Sequence, residues 1–273
     1  MFRAFAAVLV VVFGAINPTC ALADGRNSGP FASREAYEFP LSARDGWLDF
    51  VRSTPNGATA AEANAAVFSE ADYNRYCDGT ATRAERFAYR SDGLLVRGIM
   101  VAPRTPGPYP VIIFNHGGVM QWGRIILPEI LEFHGLAERG YIVLASTYRG
   151  ESGSEGSPSM DGGDVADVLA LLALIDEIPG ADAERVGVWG FSRGGLVTYH
   201  TLTRTDGLKA AVIVGGPADL VNSIRRAEFD RFVYPYGIRD YARDKEGALA
   251  RLSPIRWPER LSPHTPIPAS TRG

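Results

Sequence analysis

The sequence predicts an α/β protein with a mainly parallel central sheet flanked by helices. Three observations carry that prediction. Short apolar runs of strand type alternate with segments of helical period from Val111 onward, and such alternation implies right-handed crossovers between parallel strands. Three glycine-rich or polar stretches, at 115–118, 148–156 and 190–194, each follow one of those runs. Loops that leave the C-terminal ends of parallel strands share one edge, where ligands of such sheets bind. Finally, 273 residues with 46% hydrophobic and 22% charged content suffice for one large domain with a proper core.

Taken in order, the chain opens on a targeting segment. Met1-Phe2-Arg3 gives a positive start, residues 4–16 are apolar, and Ala21-Leu22-Ala23 forms a cleavage site before Asp24. Residues 1–23 therefore read as a cleaved signal peptide, implying export to a periplasm or the exterior. The apolar core is short for an uncleaved anchor. Cleavage removes Cys20 and leaves Cys77, which has no partner for a disulfide and reads as structural.

Residues 24–83 read as an N-terminal helical segment. Trp47, Leu48 and Val51 have helical spacing, and an alanine-rich helix is expected over 59–76, with Thr59 as N-cap and Glu62 at capping-box distance. These helices either pack beside the main fold or cover part of a site mouth.

The main domain spans 84–262. Strands at 84–89 and 94–101 meet at Ser91-Asp92-Gly93, a hairpin signal. Residues 111–114 form a buried strand, 127–136 a helix closed by Gly140, and 141–146 the next strand. An amphipathic helix follows over 164–178, stopped by Pro179-Gly180. A strand at 185–189, a helix at 196–202 and a strand at 208–214 complete the alternation. Residues 221–261, rich in arginine, aspartate and aromatics, read as short helices: either a lid over the strand ends or a solvated excursion with an aromatic underside. Residues 263–273 read as an irregular tail.

Composition excludes some functions. A net charge of −3 with scattered basic residues gives no footprint for nucleic acid. No apolar run after the N-terminus is long enough to span a bilayer. Glu129, Glu132 and His134 lack the spacing of a metal pair, and no glycine loop carries a phosphate-binding lysine. No metal or other cofactor is expected.

The chemistry concentrates at Gly190-Phe191-Ser192-Arg193-Gly194, between a strand and a helix. In such a turn the serine is strained and its hydroxyl projects above the sheet, so Ser192 is the candidate nucleophile. The glycines let strand and helix approach closely. The backbone N–H of Arg193 is a candidate oxyanion donor, and the amide of Gly118, in the loop after an earlier strand, is the second. His116, in that same loop, reads as structural.

These residues resemble the α/β-hydrolase fold. More narrowly, the chain is similar to the catalytic domain of the prolyl oligopeptidase family of serine peptidases and its esterase relatives. The matching stretches are IIFNHGG at 112–118, STYRGESGSEG at 146–156, VGVWGFSRGGL at 186–196 and RLSPIRW at 251–257. The resemblance covers residues 84–262. It implies cleavage of peptide bonds through an acyl-enzyme on Ser192, with an acid and a histidine on later loops.

Here the sequence departs from the family. After Ser192 only His200 and His264 remain. His200 lies eight residues along the helix, roughly 12 Å from its start, and reads as structural. Pro266 and Pro268 make the last residues poor strand material. Asp219 reads as a loop cap, with a relocated acid as the alternative. The acid and base therefore stay unassigned. The resemblance implies a chain truncated or frame-shifted at its C-terminus, with impaired activity and an exposed, aggregation-prone sheet edge. Two alternatives stand: a carboxylesterase or dienelactone-hydrolase-like esterase, and a non-catalytic homologue that binds a ligand in the same cleft. The expected partner is a peptide or small ester substrate; cleavage specificity and oligomeric state are left open.

Overall fold

The computed structural model describes residues 31–261 apart from 42, 56, 120–122 and 224–225. The expected signal segment and the tail at 263–273, with His264, lie outside the described residues.

The first element differs from expectation. A strand, β1 (Phe31–Ala36), stands where only helices were read. Three helices follow: α1 (Arg44–Arg52), α2 (Gly57–Val67) and α3 (Glu70–Asp78). The single helix expected over 59–76 is thus two. The break is made by Ser69, whose backbone is extended and whose hydroxyl accepts from the Asp72 amide at 3.1 Å. That satisfies one of the orphan amides of α3. Thr59 lies inside the first turn of α2 and is not its cap.

The hairpin forms from β2 (Thr82–Ser91) and β3 (Leu94–Pro103). Asp92 and Gly93 between them have φ of 49° and 81°, the left-handed pair that a two-residue hairpin turn needs to match strand twist. Then come β4 (Tyr109–Asn115), α4 (Leu127–Glu138) and β5 (Ile142–Ser146). Helix α5 (Gly163–Leu172) is shorter than expected, because the chain turns at Ala173 into a 3-10 turn at Ile175–Glu177. The alternation ends with β6 (Ala181–Phe191), α6 (Arg193–Leu202) and β7 (Leu208–Val214).

The sheet order is β1-β2-β3-β5-β4-β6-β7. The pairs β5/β4, β4/β6 and β6/β7 are parallel, as the alternation predicts. The pairs β1/β2, β2/β3 and β3/β5 are antiparallel, so the sheet is mixed. Strand alternation divides the core between its two faces. Val111, Ile113, Leu144 and Val188 pack with Val165, Val168 and Leu171 of α5 and Val197 of α6. Phe114, Val143, Ala145 and Trp189 pack with Trp47 and Leu48 of α1, Tyr73 and Tyr76 of α3, and Ile130 and Phe133 of α4. Three layers result, and each fully buried large side chain contributes about 1.5–3 kcal/mol. The N-terminal helices are therefore part of the core.

Two acids on α4 resist ionisation in this packing. Burial pushes the carboxyls of Glu129 and Glu132 up to about 7. The folded state then holds protons that the unfolded chain releases above its ordinary value near 4.5. The sign follows: this contribution lowers stability as pH rises from about 4.5 to 7. Glu132→Gln is expected to gain on the order of 2 kcal/mol over the parent between pH 5 and pH 8, read from urea unfolding. Buried His134 and His200 titrate in the opposite sense in both proteins and cancel in that difference. A pH-independent difference would place Glu132 in water.

The register aligns Asn115 with Gly190 and Phe191 with Val214, so these parallel strands end together. Over that edge lie α7 (Arg226–Phe232), α8 (Tyr234–Gly237) and α9 (Lys245–Leu252). Their Tyr234 and Leu249 pack, together with Tyr241, against Val119, Met160 and Leu196. Phe232 and Tyr236 face outward. At the sheet edge formed by the described residues, Val212 and Val214 are 51% and 38% exposed.

Candidate active site

Ser192 sits between β6 and α6 with φ 53° and ψ −119°. A non-glycine residue there carries about 1–3 kcal/mol of strain, held only where the surroundings impose it. The surroundings are specific. The Ser192 amide donates to Val214 O at 2.8 Å, and its carbonyl accepts from Gly195 N at 2.9 Å. A Cβ on Gly190 would strike the Thr198 hydroxyl and the Gly194 carbonyl, and one on Gly194 would enter the backbone of Asn115. The glycines thus set how near α6 comes to β4 and β6. Asn115 Nδ2 donates to Thr198 Oγ1 at 2.9 Å and locks the same contact.

The candidate donors flank this serine. Arg193 is the first residue of α6, so its amide has no intrahelical acceptor and is available to an oxyanion. The other loop comes equally near: a Cβ on Gly117 would lie 3.0 Å from the Ser192 Cβ. Gly118 follows with φ 73°. His116 Nδ1 lies 2.9 Å from Gly117 O. A carbonyl only accepts, so Nδ1 carries the proton and fixes the peptide that bears the Gly118 amide. Burial, and then the Arg193 charge, lower the His116 pKa to about 3. The ring is neutral at any working pH and orients this peptide as a neutral donor.

The least expected feature is the Arg193 side chain. It is 5% exposed and crosses behind the serine turn. Nη1 donates to Gly118 O at 2.7 Å and to Glu151 Oε1 at 2.8 Å, and Nη2 donates to Asp164 Oδ2 at 2.5 Å. Its guanidinium lies 5.0 Å from the centroid of the Tyr148 ring, whose own centroid is 4.2 Å from that of His116. Burial raises the Asp164 carboxyl, and Arg193 opposes that rise. A cavity of about 440 Å³ opens beside Glu151, lined also by Arg124, Gly150, Ser152, Ser157, Pro158 and Tyr236. Sequence reasoning assigned Arg193 only a backbone role. The missed signal was the placement of a cation in the first turn of a helix, where the dipole opposes it and a counter-charge is required.

The remaining candidates go elsewhere. Asp219 accepts from the Val221 and Asn222 amides, each at 3.1 Å, the geometry of a loop cap. His200 Nε2 meets Leu252 O at 3.2 Å. His134 Nδ1 meets the Thr82 hydroxyl at 2.7 Å. Among the described residues, no histidine bonds Ser192 Oγ. Burial raises the Cys77 thiol, which holds it in the inert form.

Comparison with known proteins bears on the family and the fold. A family model for X-Pro dipeptidyl-peptidase (S15 family) matches residues 50–232. The uncharacterized peptidase YtmA of Bacillus subtilis (strain 168) is 31% identical over 140 residues, which is 51% of this chain and 53% of that protein. The acylaminoacyl peptidase of Pyrococcus horikoshii superposes with a TM-score of 0.56 at 24% identity, over 69% of this chain and 32% of that one. A puromycin-hydrolyzing peptidase of Mycobacterium tuberculosis gives a TM-score of 0.51 at 26% identity, over 67% and 30%. The chain therefore matches about half the length of its curated relative and about a third of these solved structures. The neighbours are α/β-hydrolases, the fold expected from the motifs.

Proposed function

This chain belongs to the S15 family of X-Pro dipeptidyl-peptidases, and from that premise we propose that it is a serine hydrolase of prolyl oligopeptidase type acting on peptide bonds through an acyl-enzyme on Ser192. The observation that carries the reading is the strained Ser192 at the β6–α6 turn, with the Arg193 amide and the Gly117-Gly118 loop beside it. Acyl transfer needs a nucleophile held at a fixed point and donors where the oxyanion forms. Both requirements fall on these residues. The segment 1–23 makes the protein an exported one in this reading.

Among the described residues no histidine bonds Ser192 Oγ and the base stays unassigned; an impaired rate is what we propose for a chain that acts without one. A hydrolase lacking a triad member keeps about 10³–10⁴-fold catalysis over water from its oxyanion hole and binding. The same lack favours one second reading, a homologue that binds a peptide or ester in the cleft without turnover.

One experiment separates them. The chain and Ser192→Ala are treated with a fluorophosphonate probe, and the adduct is located by mass spectrometry. Labelling of the parent at Ser192, lost in the alanine variant, is the expected result. Equal labelling of both sinks the nucleophile. Absence of labelling with retained binding of a Pro-containing dipeptide favours the second reading. Parallel assays with p-nitrophenyl acetate and an Ala-Pro-p-nitroanilide divide esterase from peptidase.

A further inference from the structure

We propose that the Arg193 guanidinium is a positioning residue that fixes the spacing between the two oxyanion donors. The inference rests on the hydrolase reading of Ser192 but concerns a side chain that reading does not use. The two donors sit on different loops, 75 residues apart in sequence, so something must set their separation. Arg193 carries one donor on its own backbone. Its side chain returns to the other loop and holds Gly118 O at 2.7 Å. Gly118 O belongs to the peptide that follows Gly118; the peptide before it, which bears the Gly118 amide, is held by His116 Nδ1 on Gly117 O. Both peptide planes about Gly118 are therefore pinned, one by Arg193 and one by His116. The two pins are joined through Tyr148, which contacts both side chains.

Anchoring of the guanidinium explains its cost. Glu151 and Asp164 carboxylates, at 0% and 1% side-chain exposure, take one branch each. A buried guanidinium with two carboxylates is a poor route to stability, since well-packed apolar residues serve as well or better. It is a good route to geometry. A planar fork addresses three acceptors in fixed directions while its face lies on an aromatic ring, which an ammonium on a flexible stem does not do. Lysine is therefore not an equivalent at this position.

The test uses the full chain with Arg193→Met, Arg193→Lys, and the neutralised triple variant Arg193→Met, Glu151→Gln, Asp164→Asn. Two quantities are read: amide exchange of peptides covering 115–126 by mass spectrometry, and kcat and KM for p-nitrophenyl acetate. In Arg193→Met, exchange at 115–126 rises about tenfold or more, as expected for loss of a hydrogen bond from a charged donor. Strands β4 and β5 keep their protection. The value of kcat falls about 10²-fold, the scale of one misplaced oxyanion donor, with KM little changed. Lysine does not rescue either quantity. The triple variant recovers its melting temperature while exchange and kcat stay altered. Recovery of both quantities in the triple variant, or a rise in exchange spread evenly over the chain, overturns the proposal and leaves Arg193 a structural ion pair. If the parent hydrolyses no ester, the hydrolase reading fails by itself, and the exchange arm still decides whether Arg193 holds the loop.

Discussion

Gly194→Ala is expected to leave no folded protein. Its Cβ would sit inside the van der Waals envelope of the Asn115 carbonyl and close to His116 O. These are backbone atoms at the end of a central strand, and no side chain can swing aside to make room. Relief requires α6 to withdraw from β4, and that motion is opposed on the far side. A Cβ on neighbouring Gly195 would already lie 2.5 Å from the Gly216 Cα, so α6 is wedged between the ends of β4 and β7. Withdrawal also breaks the buried Asn115–Thr198 bond. Overpacking of a core by a methyl group costs about 1–3 kcal/mol where side chains can yield. Here backbone on both sides of α6 must move, which puts the cost at the upper end of overpacking or beyond, against the roughly 5–15 kcal/mol that hold a domain together. Circular dichroism and urea unfolding of the purified chain read the result. The control is Gly46→Ala in α1, where a Cβ meets nothing within 4 Å. The same chemical change there should stabilise by about 0.5–1 kcal/mol through helix propensity. A cooperatively folded Gly194→Ala protein would mean that the elbow is looser than its glycines require.

Asp167→Ala should cost about 3–5 kcal/mol, the usual penalty for removing one partner of a buried ion pair. Asp167 is fully buried on α5. Its carboxylate accepts from the Arg149 amide at 2.7 Å, from Nε at 3.1 Å and from Nη2 at 2.8 Å. Arg149 opens the loop that carries Glu151, so one carboxylate fixes both the backbone and the side chain at the root of that loop. Without it, the guanidinium keeps Asp92, which is 62% exposed, and the Ser91 hydroxyl. An exposed pair gives back about 0–1 kcal/mol. The paired substitution Arg149→Met, Asp167→Ala removes both charges and should recover part of the loss, and with Arg149→Met alone it closes a double-mutant cycle that gives the coupling energy. The urea midpoint of each variant checks the sequence of effects. A midpoint unchanged in Asp167→Ala would show that the loop is held by other contacts.

What the sequence revealed and concealed follows from where the determinants lie. The central strands β4 and β5 were legible because their apolar residues are buried on both faces and read as short apolar runs, at 111–114 and 141–146. The hairpin was legible because Asp-Gly has a backbone preference of its own. The elbow was legible because only glycine tolerates its close approaches. Strand β1 was not, since FASREA has no apolar alternation and is a strand only because the edge of β2 accepts it. The break between α2 and α3 turned on one hydroxyl at Ser69, set within a run whose composition reads as continuous helix. The antiparallel half of the sheet depends on β3 meeting β5, a long-range pairing that local pattern does not encode. The side chain of Arg193 was hidden for a similar reason: Glu151 and Asp164, its counter-charges, are 42 and 29 residues away and become neighbours only in the fold.

That buried group of three charges has an evolutionary consequence. Replacing any one member alone strands a charge or an unsatisfied donor out of water, at a cost of about 3–5 kcal/mol. Positions 151, 164 and 193 therefore form a closed set in which single steps lead downhill in fitness and a successful change must be made jointly. Drift at the surface of this protein can proceed one residue at a time. Behind its nucleophile a change at one of these three positions calls for a change at the others.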